Sequence, residues 1–131
     1  MDKIRVLLAD DHTVLRQGIA QALSLQGDIE VVAQAATGRE ALQLARQHRP
    51  DVALLDINMP EMDGVAATAQ ITAAVPETGV IILTMYRRDD YIFEAIKAGA
   101  SGYLLKEVEL EELVRAVRTV ASGEAVIDAA V

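Results

Sequence analysis

The chain has 131 residues, of which 52% are hydrophobic, so it can form one domain with a sizeable core and has little room for a second. It has no cysteine, which excludes disulfides and fits a reducing cytoplasm, where we expect the protein. Acidic residues outnumber basic ones by 20 to 12, and a net charge of −8 argues against nucleic-acid binding by this segment itself. We expect no signal peptide and no membrane span, since no apolar run approaches the roughly 20 residues that cross a bilayer.

Short apolar runs alternate with helical patterns along the whole chain. The candidate strands are Ile4–Ala9, Ile29–Ala35, Asp51–Leu55, Val80–Thr84 and Gly102–Leu105. Several of these runs are almost unbroken in apolar residues, which is typical of parallel strands that are buried on both faces.

Apolar residues at helical spacing predict a first helix over Thr13–Leu25 and a last helix that contains Leu110 and Val117. The acidic stretch 107–112 suits the first turn of that last helix, where negative charge is favourable. Residues that commonly begin or end helices mark the remaining boundaries. They are Thr37 with Glu40 before a helix over Ala41–Gln47, Asp63-Gly64 before a helix over Val65–Val75, Asp89 or Asp90 before the fourth helix, and Gly99 and Gly123 after the fourth and fifth.

These elements predict an α/β fold of the (βα)₅ type, a three-layer sandwich with a parallel five-stranded sheet in the middle. We expect one domain over residues 1–122. Residues 123–131 form a short apolar segment, and we interpret it as the start of a linker.

Polar residues follow the predicted strands where each strand ends. Asp10 and Asp11 end the first strand, Asp56 follows the third, Thr84 ends the fourth and Lys106 follows the fifth. In open α/β sheets, ligands bind beyond the carboxyl ends of the strands. If the first and third strands are neighbours, these residues meet in one crevice, where carboxylates could hold a divalent cation.

Each residue also has an ordinary interpretation. Asp11 is a reasonable N-cap for the first helix, but Asp10 gains nothing as a second cap, and Asp56 lies too far from a helix start to cap one. His12 and His48 are expected to be surface or capping residues rather than ligands. The joint placement at four strand ends is what favours a functional site.

Four segments resemble the receiver domain of bacterial two-component response regulators in order and spacing. They are Asp10-Asp11, the run D-I-N-M-P-E-M-D-G over residues 56–64, Thr84, and Tyr103-Leu104-Leu105-Lys106. The resemblance covers about residues 3–122, and further segments resemble the NarL/FixJ subgroup, which carries a C-terminal helix-turn-helix domain. It also implies a flavodoxin-like sheet with the strand order 2-1-3-4-5.

The chain departs from the family pattern at one position. Many receivers have proline after the conserved lysine, commonly with a cis bond, but here Glu107 follows Lys106. A cis bond before a residue other than proline costs about 2.5–4 kcal/mol. The family's geometry for this turn therefore does not carry over.

The resemblance implies that the chain is a signalling switch that catalyses only its own phosphorylation and dephosphorylation. Asp56 would be the nucleophile and would take a phosphoryl group from a phosphohistidine of a sensor histidine kinase. Mg²⁺ would be the cofactor. Its protein ligands would be Asp11, a carboxylate oxygen of Asp56, the main-chain carbonyl of Asn58, and Asp10 directly or through water.

The remaining roles follow from the same resemblance. Lys106 would pair with Asp56 before reaction and with a phosphoryl oxygen afterwards, and Thr84 would donate its hydroxyl to another such oxygen. Movement of Thr84 would let Tyr103 rotate towards the core as the switch. From its position two residues after Thr84, we expect Tyr86 to shield the acyl phosphate from water.

The expected output is transcription regulation. Phosphorylation would shift a monomer–dimer equilibrium and pair two DNA-binding domains joined beyond Val131, with no part for a membrane. The candidate pairing surfaces are the first and last helices, or the fourth helix with the fifth strand and fifth helix. The last helix offers mixed outer charges at Glu111, Glu112, Arg115 and Arg118. Ion pairs within the helix are the ordinary alternative for these charges.

Two other classes of protein remain as alternatives. A phosphatase of the haloacid-dehalogenase type would use Asp10 as nucleophile, but its second Asp is replaced here by His12. A flavodoxin-like FMN protein would need a phosphate loop without carboxylates after the first strand, and a pseudo-receiver usually lacks one of the key residues. A phosphoryl group on Asp10 would favour the first alternative, and a yellow solution or no reaction with a small phosphodonor would favour the others.

Overall fold

A computed structural model describes residues 2–85 and 88–127. The elements, in chain order, are β1 (Ile4–Ala9), α1 (Thr13–Ser24), β2 (Ile29–Ala35), α2 (Gly38–His48), β3 (Val52–Leu55), α3 (Gly64–Ala74), β4 (Gly79–Thr84), α4 (Asp89–Lys97), β5 (Gly102–Leu105), α5 (Leu110–Ala121) and β6 (Val126–Ile127). Among the described residues, no helix is long and apolar enough to cross a membrane.

All the strands are parallel and lie in the order β2-β1-β3-β4-β5-β6. The predicted order of the first five strands is therefore confirmed. Side chains alternate between two cores, one on each face of the sheet, because successive residues of a strand point to opposite faces. Leu7 packs in the core beneath α2, α3 and α4, whereas Leu8 packs in the core beneath α1 and α5.

The second and third helices begin at the residues that the sequence marks. The hydroxyl of Thr37 accepts a hydrogen bond from the backbone N–H of Glu40 at 3.0 Å, and the Glu40 carboxylate accepts one from Ala36 at 2.8 Å. The helix starts at Gly38, three residues earlier than predicted, since the capped turn is itself helical. Asp63 caps α3 through the N–H of Ala66 at 2.8 Å.

The prediction that Asp89 or Asp90 caps the fourth helix is wrong. The N-cap residue of α4 is Arg88, and both aspartates lie in the first turn. The Arg88 guanidinium pairs with the Asp90 carboxylate at 2.9 Å. Aspartate is favoured both at the N-cap and in the first turn of a helix, where the helix dipole stabilises negative charge. The sequence pattern therefore did not distinguish these two positions. Gly99, at φ +107°, follows the end of this helix as expected.

The last helix begins at Leu110, so only Glu111 and Glu112 of the acidic stretch lie in its first turn. Gly123, at φ +95°, follows its end as predicted. A left-handed backbone of this kind commonly terminates helices and strongly favours glycine.

Part of the segment interpreted as a linker belongs to the sheet. Val126 pairs with Gly102 in register, and its N–H donates to the carbonyl of Ser101 at 2.8 Å. The Val126 side chain packs against the core beneath α1 and α5. A two-residue strand is too short to leave a periodic pattern, so sequence reasoning could not find it. Residues 128–131 of that segment lie outside the described residues.

Candidate functional site

The sheet brings the predicted site residues to one edge. Ala9 and Leu55 are partners across β1 and β3, so Asp10 and Asp56 leave the sheet side by side. Across β4 and β5, the N–H of Lys106 donates to the carbonyl of Thr84 at 2.7 Å. The polar residues at these four strand ends therefore lie at one edge of the sheet, as predicted.

Lys106 bridges two buried carboxylates. Its Nζ lies 3.2 Å from Oδ2 of Asp56 and 2.7 Å from Oδ2 of Asp10. All three side chains are less than a tenth exposed. The contact with Asp56 is the one that the resemblance implies, and the closer contact with Asp10 is an addition. One ammonium thus contacts two buried carboxylates.

The two carboxylates differ in pKa although they share this partner. Burial raises the pKa of Asp56, Lys106 only partly offsets it, and the charge of Asp10 raises it further. Burial also acts to raise the pKa of Asp10, but hydrogen bonds from Lys106 and from His12 outweigh it, so the pKa of Asp10 is lowered. For Lys106, burial opposes the charged form, but its contacts with both carboxylates raise its pKa. The ammonium therefore stays charged between them.

His12 is exposed and is the N-cap residue of α1, as expected, and its ring also contacts the clustered carboxylates. Its backbone N–H and its ring Nδ1 each lie 2.8 Å from Oδ1 of Asp10. The ring Nδ1 also lies 3.4 Å from Oδ1 of Asp11. The interpretation of Asp11 as N-cap is wrong, because the N-cap of α1 is His12 and no side chain caps it. The available sequence signal was that His12 directly follows the paired aspartates, but a single histidine beside acidic residues is too common a pattern to predict a site residue.

The edge has the donor set of a cation site. Ligand atoms of Asp10, Asp11, His12 and Asp56 all lie within 4.8 Å of one another. Carboxylate oxygens are the ligands that Mg²⁺ prefers, and their mutual repulsion is relieved by a cation. Asn58, proposed to contribute its main-chain carbonyl, is exposed in the loop after Asp56. His48 ends α2 and is not among the clustered groups.

The loop after Asp56 is held in place by the residues of its motif. The N–H of Gly64 donates to the carbonyl of Ile57 at 2.8 Å, and a Cβ on Gly64 would overlap the main-chain carbonyl of Asp56. Glycine is needed there because α3 begins against the backbone of Asp56 and Ile57. Glu61 adopts the left-handed region at φ +67°, which turns the chain back towards that helix.

Thr84 and Tyr103 are both fully buried. Burial, with the nearby Asp90 and Tyr91, raises the pKa of Tyr103 to about 12. The Tyr103 side chain lies in the core beneath α2, α3 and α4, and its movement as a switch stays a prediction. No cis peptide bond occurs in the described part of the chain. Tyr86 lies outside the described residues.

Residues 6–118 match the model of the response regulator receiver domain. The chain belongs to this family. It is 47% identical over 126 residues to the oxygen regulatory protein NreC of Staphylococcus epidermidis, covering 95% of this chain and 58% of that protein. The chain therefore spans a little over half the length of such curated relatives.

Solved structures of similar chains also support membership of the receiver-domain family. The signal receiver domain of the response regulator NarL from Mycobacterium tuberculosis is 40% identical, with a TM-score of 0.91, and the match covers 95% of this chain and all of that one. A LuxR-family DNA-binding response regulator from Staphylococcus aureus is 35% identical, with a TM-score of 0.85, covering 90% of this chain and 98% of that one. This chain is a receiver domain of the LuxR-family type, and such domains act as signalling switches.

Proposed function

We propose that this receiver domain accepts a phosphoryl group on Asp56 from a phosphohistidine of a sensor histidine kinase in the cytoplasm. The observation that carries the proposal is the buried Asp56 carboxylate beside Lys106, at the sheet edge where Asp10 and Asp11 also lie. A nucleophile, a fixed cation and a set of oxygen ligands are the parts that phosphoryl transfer needs.

In the proposed reaction, an ionised Asp56 oxygen attacks phosphorus as the phosphorus–nitrogen bond of phosphohistidine breaks. The electron pair of the broken bond goes to the leaving imidazole. Burial favours the protonated acid, and the positive charge of Lys106 acts against this by keeping the carboxylate ionised. After transfer, Lys106 would contact one phosphoryl oxygen and the Thr84 hydroxyl would donate to another.

Mg²⁺ fits the residues present. Asp11, an oxygen of Asp56 and the main-chain carbonyl of Asn58 would hold it, with Asp10 acting directly or through water. When bound, it supplies charge that neutralises the phosphoryl oxygens. Asp10 and Asp56 are buried and, among the described residues, share the ammonium of Lys106, which is the electrostatic reason to expect a cation here.

For output, we propose phosphorylation-dependent pairing of two chains, each joined to a DNA-binding domain beyond residue 131. The outer face of α5 is partly committed within the chain, because Arg118 forms a two-point ion pair with Asp28 at 2.8 and 3.0 Å. Glu111, Glu112 and Arg115 remain exposed for an intermolecular contact.

Each of the two candidate pairing surfaces carries an exposed apolar residue, and substitution of these residues can distinguish the surfaces. Leu25, at the end of α1, is 80% exposed on the side of α1 and α5, and Phe93 is 68% exposed on α4. Sedimentation velocity with and without beryllofluoride, a phosphoryl mimic, should show dimers of the wild type in the activated state only. Leu25→Asp or Phe93→Asp, whichever lies in the interface, should abolish them. Monomers in both states would exclude pairing through this domain.

The phosphorylation itself is tested by incubating the chain with acetyl phosphate and Mg²⁺ and measuring intact mass. The wild type should gain about 80 Da, the mass of one phosphoryl group, and Asp56→Asn should gain nothing. Asp89→Asn, an exposed aspartate outside the site, is the matched control and should label normally. Labelling that survives in Asp56→Asn but is lost in Asp10→Asn would favour a phosphatase-like chemistry at Asp10.

A further inference from the structure

The Asp10 carboxylate is almost fully occupied by partners within the chain. Its Oδ1 accepts from the backbone N–H and from the ring Nδ1 of His12, each at 2.8 Å, while its Oδ2 meets Lys106 at 2.7 Å. A carboxylate oxygen has about two lone-pair positions. Both positions on Oδ1 are therefore used, and one position remains on Oδ2.

We infer that the His12 ring regulates cation binding at this edge by occupying a lone pair of Asp10 that a metal ion would otherwise take. This inference rests on the proposed function, because it needs Asp10 to belong to the metal site. An ionised carboxylate can only accept hydrogen bonds, so the ring Nδ1 is the donor. A cation that binds Oδ1 directly must first displace this ring.

The ring is well placed for that role. Its Nδ1 also approaches Oδ1 of Asp11 at 3.4 Å, so it lies between two of the proposed ligands. The side chain is 64% exposed, whereas the Asp10 side chain is 4% exposed. The ring can thus swing into solvent without opening the core.

The ring is not needed to orient Asp10. The backbone N–H of His12 and the ammonium of Lys106 hold one carboxylate oxygen each and remain after the ring is removed. Deleting the ring donor therefore frees a lone pair but leaves the carboxylate in place. This predicts tighter cation binding, whereas a ring that only ordered Asp10 would give weaker binding on deletion.

The test is the dissociation constant for Mn²⁺, measured by electron paramagnetic resonance on the 131-residue chain, with Mg²⁺ competition. His12→Phe should bind Mn²⁺ roughly three- to tenfold more tightly, the equivalent of about one hydrogen bond. His12→Ala should give the same shift with a smaller side chain. His12→Asn keeps an N–H donor at about the reach of Nδ1 and should restore the wild-type constant to within about twofold.

His48→Phe is the matched control, because it makes the same change at the end of α2, outside the cluster. It should leave the constant unchanged. Equal tightening by Asn and Phe at position 12 would assign the effect to lost imidazole charge and would overturn the inference, as would weaker binding by Phe and Ala. A wild type that binds no Mn²⁺ would overturn the proposed metal site as well. A wild type that binds, with a Phe variant that matches it, would overturn this inference alone.

Discussion

Similar polar and charged residues lie at the two edges of the sheet, where the strands begin and where they end, but their partners and burial differ. At the edge where the strands begin, polar groups are hydrogen-bonded to one another. Arg5 donates its backbone N–H to the Asp51 carboxylate at 2.8 Å, and Thr78 donates its hydroxyl to the carbonyl of Pro50 at 2.7 Å. The ion pair there, Arg49 with Glu77, is half exposed to solvent. At the edge where the strands end, two buried carboxylates share one ammonium. The comparison indicates that function lies where buried charge is left incompletely paired.

Removal of the Lys106 ammonium should change the free energy of unfolding most. Lys106→Met should lower the free energy of unfolding by about 3 kcal/mol, since it removes the ammonium that contacts both buried carboxylates. Glu77→Gln, which breaks the solvent-exposed ion pair at the opposite edge, should cause no measurable loss. Urea unfolding at neutral pH without metal compares them. Equal losses would contradict the contrast between the edges.

The second expected effect has the opposite sign. Asp56→Asn should stabilise the metal-free domain by about 1 kcal/mol, because it removes a buried charge whose ionised form the fold disfavours. A raised folded-state pKa means that stability is present at low pH and lost as pH rises through that pKa. The advantage of the Asn variant should therefore shrink as pH falls towards the ordinary carboxyl value of 3.8.

Urea unfolding at several pH values measures this, with Asp51→Asn as the counterpart at the opposite edge. An advantage that grows as pH falls would show that the pKa of Asp56 is lowered rather than raised.

A further effect concerns Tyr103 of β5, which is buried in the core beneath α2, α3 and α4. Its pKa is raised from 10.0 to about 12, so its contribution to stability is complete below pH 10 and is lost as pH rises through 12. In a titration followed by tyrosinate absorbance, Tyr103→Phe should remove the step at the highest pH. Loss of an earlier step instead would mean that the burial of Tyr103 does not control its ionisation.

The smallest expected effect is at Tyr86. From the sequence expectation that Tyr86 excludes water, Tyr86→Ala should speed loss of the phosphoryl group by a few-fold. Decay of the phosphorylated mass with time, after removal of the phosphodonor, measures the rate. Equal rates for the two proteins would refute the shielding role.

The sequence predicted the strands, and with them the sheet edge, because apolar runs and the polar residues that follow them are local patterns. The order of the strands came from the family resemblance, since local patterns do not determine which strands pair. The contact of Lys106 with Asp10 and that of His12 with Asp10 were missed. The first depends on side-chain directions that are fixed only once β1 and β5 lie in one sheet. The second is a local contact between residues two apart, and the sequence pattern Asp-x-His does not by itself specify it.

We propose that Asp56 alone, among the clustered carboxylates, forms the acyl phosphate. Borohydride reduces an aspartyl phosphate to homoserine, so treatment of the phosphorylated chain followed by peptide mass spectrometry locates the modified residue directly. We predict homoserine at position 56 in the presence of Mg²⁺ and none anywhere when EDTA is present during phosphorylation. Homoserine at position 10 or 11 would contradict the assignment of Asp56 as the phosphorylated residue, and homoserine at position 56 despite EDTA would contradict the requirement for Mg²⁺.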